Sequence, residues 1–337
     1  MLFILVLFLQ VNIKLSNEPY DQSSIGISFL EEIKDSFYTR ISGTLLKNGQ
    51  LVIYDHGNHR LNIYDEKYNL IKTFGKEGDG PGELSGRERL FAIDNYIGLF
   101  GIYDRIKLFD HSGEFVREIK KVIMGFYRVE EIIAGFRIYL RNSTDFYQDI
   151  DFFGNILNTE KSQTSYSMAS MEQLIKMPSD VMQFGKQFIQ SFELNYKLII
   201  LDENLSTAHI ITRDFERILD DNPIRRKIVF GATKKEQASM QAKIDNQQKK
   251  ITGGYKSDIR RLLGVLNNHI LLITASPDKA TLSIDIISPD LRLKSIQKIR
   301  GENISDYQTQ LIGDKLLVTM KNDEVGPYLK LYQITIN

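Results

Sequence analysis

Arg60-Leu-Asn-Ile-Tyr-Asp65 returns 45 residues later as Arg105-Ile-Lys-Leu-Phe-Asp110. Each copy is followed by a turn and a second strand-like run, Asn69-Leu-Ile-Lys-Thr-Phe74 in one case and Glu114-Phe-Val-Arg-Glu-Ile119 in the other. Self-similarity at a period of about 40–50 residues marks a repeat architecture, and a unit of four short strands is one blade of a β-propeller. Alternation puts Leu61 and Ile63 on one face of the strand and Asn62 on the other, and Ile106, Lys107 and Leu108 follow the same order.

The unit continues with weaker matches. Ile150-Asp-Phe-Phe-Gly-Asn-Ile156, Leu198-Ile-Ile-Leu-Asp-Glu-Asn-Leu205 and Ile284-Asp-Ile-Ile-Ser-Pro-Asp-Leu-Arg-Leu293 are the next copies, with Ser288 where the earlier ones have Asp. Tyr328-Leu-Lys-Leu-Tyr-Gln333 is the sixth. The interval from Leu201 to Ile287 is 86 residues, one blade plus an insertion of similar length. Six copies predict an all-β, six-bladed propeller forming one domain over residues 18–337, with a helical insertion at about 213–260 between blades four and five. Only Ile334 to Asn337 follow the last copy, too few for a final strand. The strand-like segment at 25–33 has no blade of its own, so it is expected to complete blade six and remove an open edge.

Blade one carries a family resemblance, in Leu51-Val-Ile-Tyr-Asp-His-Gly-Asn-His-Arg-Leu-Asn-Ile-Tyr-Asp65 and Phe74-Gly-Lys-Glu-Gly-Asp-Gly-Pro-Gly-Glu-Leu84. The stretch resembles an NHL-type repeat, with its Asp-x-x-Asn-x-Arg turn and trailing Gly-rich loop. More closely, it is similar to bacterial six-bladed propeller proteins of unassigned function that usually carry export signals. The resemblance implies the fold and the compartment and supplies no reaction, because propellers host many chemistries.

There is no cysteine, which removes disulfides, Cys-ligated metals and thiol nucleophiles together. Lys plus Arg (43) equals Asp plus Glu (43), so no global field favours nucleic acid or an anionic membrane. Residues 1–9 form an apolar run, too short for a membrane-spanning helix of about 20 residues. The run matches the apolar stretch of a secretory signal, although no Lys or Arg precedes it and no small-x-small site follows. A signal segment over residues 1–17 is expected, and with it a periplasmic or secreted bacterial protein without a transmembrane span in the mature chain.

Asp55-His-Gly-Asn-His-Arg60 reads as an inter-strand turn, in which Asp55 and Asn58 can bond the backbone and Gly57 allows positive φ. His56 and His59, with Asp55 as a third ligand, could begin a metal site, but nothing fixes a fourth ligand. The remaining histidines, His111, His209 and His269, belong to other blades and could reach the channel. Gly78-Asp-Gly-Pro-Gly82 lacks the Gly-Lys-Ser/Thr and the following helix of a phosphate loop and reads as a blade connection. Asp149 and Asp151 alternate along a strand and are expected to face outward. No catalytic residue, cofactor or metal is assigned. Asp55, His56, Asn58, His59 and Arg60 are the loop residues from which a binding site would be built.

Residues 213–261 hold 13 Lys or Arg against 7 Asp or Glu, an excess that leaves the rest of the chain negative by the same amount. Thr233-Lys-Lys-Glu236 reads as a capping box, predicting a helix to about Lys250 that ends at Gly253-Gly254. Such an arm would be a basic lid or docking element over one propeller face. These features together predict a non-catalytic extracytoplasmic binding or scaffold protein that holds a protein, peptide or glycan and not nucleic acid. The alternative is a metal-dependent hydrolase or lyase of the lactonase-type propeller class.

Overall fold

A computed structural model describes residues 10–337 except 94–95, 102–104, 121–125, 141–144, 163–177, 193 and 221–251. Six antiparallel sheets form the blades. Blade one is β3 (Ile41–Leu45), β4 (Leu51–Asp55), β5 (Arg60–Tyr64) and β6 (Leu70–Phe74). Blade two is β7 (Arg89–Ile93), β8 (Tyr96–Phe100), β9 (Ile106–Phe109) and β10 (Phe115–Ile119). Blade three is β11 (Phe126–Ile132), β12 (Gly135–Leu140), β13 (Asp145–Asp151) and β14 (Ile156–Lys161). Blade four is β15 (Asp180–Phe184), β16 (Gln187–Phe192), β17 (Lys197–Leu201) and β18 (Thr207–Arg213). Blade five is β19 (Ile259–Leu266), β20 (His269–Thr274), β21 (Thr281–Ile287) and β22 (Leu293–Arg300). Blade six takes β23 (Ser305–Ile312), β24 (Lys315–Asn322) and β25 (Gly326–Ile336) from the end of the chain, and β2 (Ile25–Ile33) from its beginning.

Each inner strand neighbours the next, from β3 through β7, β11, β15, β19 and β23 back to β3, so the ring is closed. The core lies in the seams between blades, where buried apolar side chains of adjacent sheets interlock. Packing on both faces overrides the alternation expected for the repeat strand: Leu61, Asn62 and Ile63 are all buried. Asn62 accommodates this by accepting a hydrogen bond from Thr73 Oγ1 at 2.8 Å.

The repeated Asp has a specific backbone task. Asp65 Oδ1 accepts from the N–H groups of Lys67 and Asn69 at 2.9 and 2.8 Å. Asp110 does the same for Ser112 and Glu114, Asp151 for Phe153 and Asn155, and Asp202 for Asn204 and Ser206. In blade five the Ser288 hydroxyl takes over, accepting from Arg292 N at 3.3 Å. The residue three beyond the Asp or Ser is left-handed each time: Tyr68, Gly113, Gly154, Leu205 and Leu291. Asp110→Ala should cost about 1 kcal/mol in urea unfolding, because two backbone donors lose a charged acceptor at a largely exposed turn. Hydrogen bonds from Ser112 hold its carboxyl below the usual range, so this contribution is present at neutral pH and lost as pH falls through that lowered value.

The first described residues form a belt. β1 (Val11–Leu15) adds to blade four as a fifth strand, parallel to β18, with Val11 opposite His209 and Leu15 opposite Arg213. The chain then crosses the rim of blade five: Tyr20 and Asp21 donate backbone N–H groups to Leu293 and Lys294 carbonyls, and Gln22 Oε1 accepts from Ile296 N. After a 3-10 turn at Gln22–Ser24 it enters β2, antiparallel to β25 from Ile25↔Ile336 to Ile33↔Leu329. Within the segment expected to be a leader, residues 1–9 lie outside the described residues, whereas 11–15 are a sheet strand. Leu15 is buried in the seam between blades four and five while Val11 is 45% exposed. Leu15→Ala should therefore lower the unfolding free energy by about 2–3 kcal/mol, and Val11→Ala by less than about 0.5 kcal/mol.

The helix expected from Thr233 to about Lys250 falls on residues 221–251, outside the described residues, and no helical element of the insertion lies among those described. What is described is a β-type clasp at the insertion's base. Leu219 and Tyr255 form an antiparallel bridge, reinforced by Asp220 N to Gly254 O (2.9 Å) and Lys256 N to Ile218 O (2.7 Å). Arg217 locks it by lying over the Tyr255 ring and donating to the Leu194 carbonyl.

Candidate functional site

Every blade is entered at its inner strand, and four antiparallel strands return the chain to the face from which it started. The connections from each blade to the next, the base of the insertion and the β4–β5 turn therefore share one face, here called the connection face. The Asp-capped turns occupy the other. The inner strands surround a central cavity of about 1050 Å³. At the connection face its wall carries Arg40 just before β3, Arg89 at the start of β7, Arg128 in β11, and Arg260 and Arg261 in β19. Towards the far end the wall is mostly apolar, with Leu45, Ile93 and Ile312 at the ends of β3, β7 and β23, and an ion pair between Lys47 and Glu131 at 3.3 Å.

The carboxylates in this wall are engaged. Glu88 is buried and accepts from the Tyr54 hydroxyl (2.6 Å), Ser85 N (2.7 Å) and Arg87 N (3.0 Å). Burial pushes its carboxyl up, but the bonds from Ser85 and Tyr54 outweigh this and hold it below the usual range. Asp180 pairs with Arg128 at 3.3 Å, and Arg128 also donates to the Leu262 carbonyl, tying blade three to blade five. Glu130 accepts from the Tyr139 hydroxyl at 2.7 Å, and burial raises its pKa despite the nearby Arg128.

The blade-one loop divides between structure and channel. Asp55 is buried and serves the turn, accepting from Asn58 Nδ2 (2.7 Å), Asn58 N and Tyr38 N (both 3.3 Å), with Arg60 Nε at 3.4 Å. Arg60 donates to the Ser36 carbonyl. His59, left-handed at φ 51°, directs Nδ1 to the Leu84 carbonyl at 2.9 Å. The left-handed position is thus His59 and not Gly57. A side chain at Gly57 is forbidden for another reason: its Cβ would lie 2.6 Å from the Tyr38 carbonyl oxygen. Of the five, only His56 lines the cavity, and His111, His209 and His269 do not reach it. Among the described residues no three His, Asp or Glu side chains gather closely enough to hold a metal ion.

His56 forms a contact that resembles a catalytic dyad, with Nε2 2.9 Å from Ser42 Oγ and Nδ1 3.2 Å from the Gly86 carbonyl. The carbonyl can only accept, so Nδ1 carries the proton and Nε2 accepts from Ser42. Burial, followed by the charge of Arg40, lowers the imidazole pKa from 6.5 to about 4. A base this weak, backed by a carbonyl and not a carboxylate, is poorly matched to activating a serine at neutral pH. His56 is instead a neutral strut in the wall.

Its neutrality has a measurable cost in acid. Between pH 6.5 and 4 the unfolded chain binds a proton that the native imidazole refuses, so the stabilisation is complete above 6.5 and lost as pH falls to about 4. The shift is worth about 3 kcal/mol. Urea titrations across this interval should show His56→Gln losing about that much less stability than the parent. Equal losses would mean that His56 is charged in the native protein.

The arginines of the mouth were not among the residues singled out from the sequence. They sit on or just before the inner strands, whose sequences do not repeat visibly, and nothing local distinguishes them from solvated charges. Asp149 corrects the expectation of an outward face. It is buried and accepts a paired contact from Arg137 at 2.7 and 2.8 Å, the guanidinium lying over Tyr147.

No protein-family model matches the sequence, and no curated protein matches it. Solved structures do. One is a Bacteroides fragilis protein assigned as exported, 14% identical, with a TM-score of 0.56 over 98% of this chain and 100% of that one. Another is a member of the DUF4221 family from Bacteroides vulgatus, 13% identical, with a TM-score of 0.51 over 94% of this chain and 100% of that one. The chain shares their fold. At these identities the likeness concerns architecture alone.

Proposed function

We propose that this protein is a non-catalytic binding scaffold of the bacterial cell exterior or periplasm, working through the connection face. The observation that carries this reading is the gathering on that face of the arginine mouth, the blade-one loop and the base of the insertion, whose sequence has an excess of Lys and Arg. Opposite it lies a face of short capped turns. Export is supported by the apolar residues 1–9 and by the description of the Bacteroides fragilis structure. A leader removed before Val11 leaves the belt intact. The NHL kinship belongs to the same proposal and rests on the Asp55-x-x-Asn58-x-Arg60 turn, whose hydrogen bonds use all three residues.

The metal-dependent hydrolase or lyase is the competing reading, and no gathered ligand set among the described residues favours it. Binding of the purified protein to mixed arrays of glycans and peptides separates the two. Retention of acidic members that is lost in high salt is the expected result. Binding indifferent to charge and salt would overturn the choice of face. Turnover of lactones or esters on addition of a divalent metal would establish the enzyme.

A further inference from the structure

We infer that the mouth of the channel is an oxyanion site that holds a carboxylate or phosphate group of the ligand against Arg40. The inference rests on the binding reading above and narrows it to a ligand chemistry.

Arg40 is exposed into the cavity, and among the described residues no carboxylate pairs with it. Among the described residues its side chain has one polar contact, His56 Nδ1 at 3.5 Å, and that nitrogen already donates to the Gly86 carbonyl, so it has no lone pair to offer. Ser42, the adjacent hydroxyl, is committed to His56 Nε2. The acids that could neutralise Arg40 are held elsewhere: Glu88 by Tyr54 and two backbone N–H groups, and Asp180 by Arg128. Partial loss of hydration in the cavity wall lowers the pKa of the guanidinium.

A guanidinium that faces the cavity without a counter-ion has its donors free for an external anion, and its planar fork matches the two oxygens of a carboxylate or phosphate. Arg89, Arg260 and Arg261, from blades two and five, line the same cavity and add to the positive potential.

Calorimetric titration of the full chain with citrate and with inorganic phosphate tests the site and distinguishes the two sources of the oxyanion. At least one should bind saturably at low salt. Arg40→Gln should weaken that binding at least tenfold, Arg40→Lys should retain part of it, and Arg292→Gln, on the rim of blade five, should leave it unchanged. Arg40→Gln should also melt at the parent temperature or above, since a cation without a partner stabilises nothing. Failure of both anions to bind, undiminished binding by Arg40→Gln, or a lowered melting temperature would each overturn the site. Binding that survives Arg40→Gln but disappears when residues 221–251 are replaced by a Gly-Ser linker would place the anion on the insertion. That outcome would sink the mouth site and leave the choice of face standing.

Discussion

A ring of blades exists only if its last sheet can be finished, and here that depends on β2 meeting β25. The pairing runs from Ile25↔Ile336 to Ile33↔Leu329 and is fixed by more than backbone bonds. Phe29 packs edge-on against Tyr332, and Glu32 pairs with Lys330 at 3.1 Å. Ile33 and Leu329 then enter the seam with blade one, while Ile25 and Ile334 enter the seam with blade five. Both seams of blade six therefore need a strand contributed by the opposite end of the chain. Without it, blade six would lose its outer strand and both of its seams part of their core.

The parity of the blade explains where function collects. Four strands bring the backbone back to its starting face, so long connections and insertions accumulate there. The other face receives the hairpins and the turn at Gln22–Ser24 through which the belt enters β2. The glycine-rich link from blade one to blade two shows the difference. It uses left-handed Gly75, Gly78, Gly82 and Gly86, yet is fully engaged: Leu84 is buried, Lys107 donates to the Glu83 carbonyl, and Gly86 N donates to the Tyr54 hydroxyl. That link supplies the carbonyl that orients His56 and the donors that hold Glu88. The wall of the mouth is thus built from the connections as much as from the strands.

Legibility in the sequence follows the same division. The repeat was readable because one carboxylate oxygen must accept from the residues two and four further on, and Asp meets that requirement in blades one to four. Ser288 shows the limit, since a hydroxyl supports the same turn with one weaker bond. The arginines were not readable. Their importance comes from five side chains on four blades meeting at one opening, and no local pattern encodes a meeting of that kind. Asp149 misled for a related reason: strand alternation distinguishes core from solvent on a one-sided sheet, but a blade is covered on both faces.

The belt also sets an order of events. β1 is synthesised about 200 residues before β18, and β2 about 300 residues before the strand it joins. At about 5–20 residues per second, the second interval is on the order of 15–60 s. For about two thirds of that time β1 also lacks its partner, and until the end of it β2 has none and blade six is incomplete. A chain whose last sheet waits for its final strand cannot finish folding, and stays threadable, until its last residues leave the ribosome.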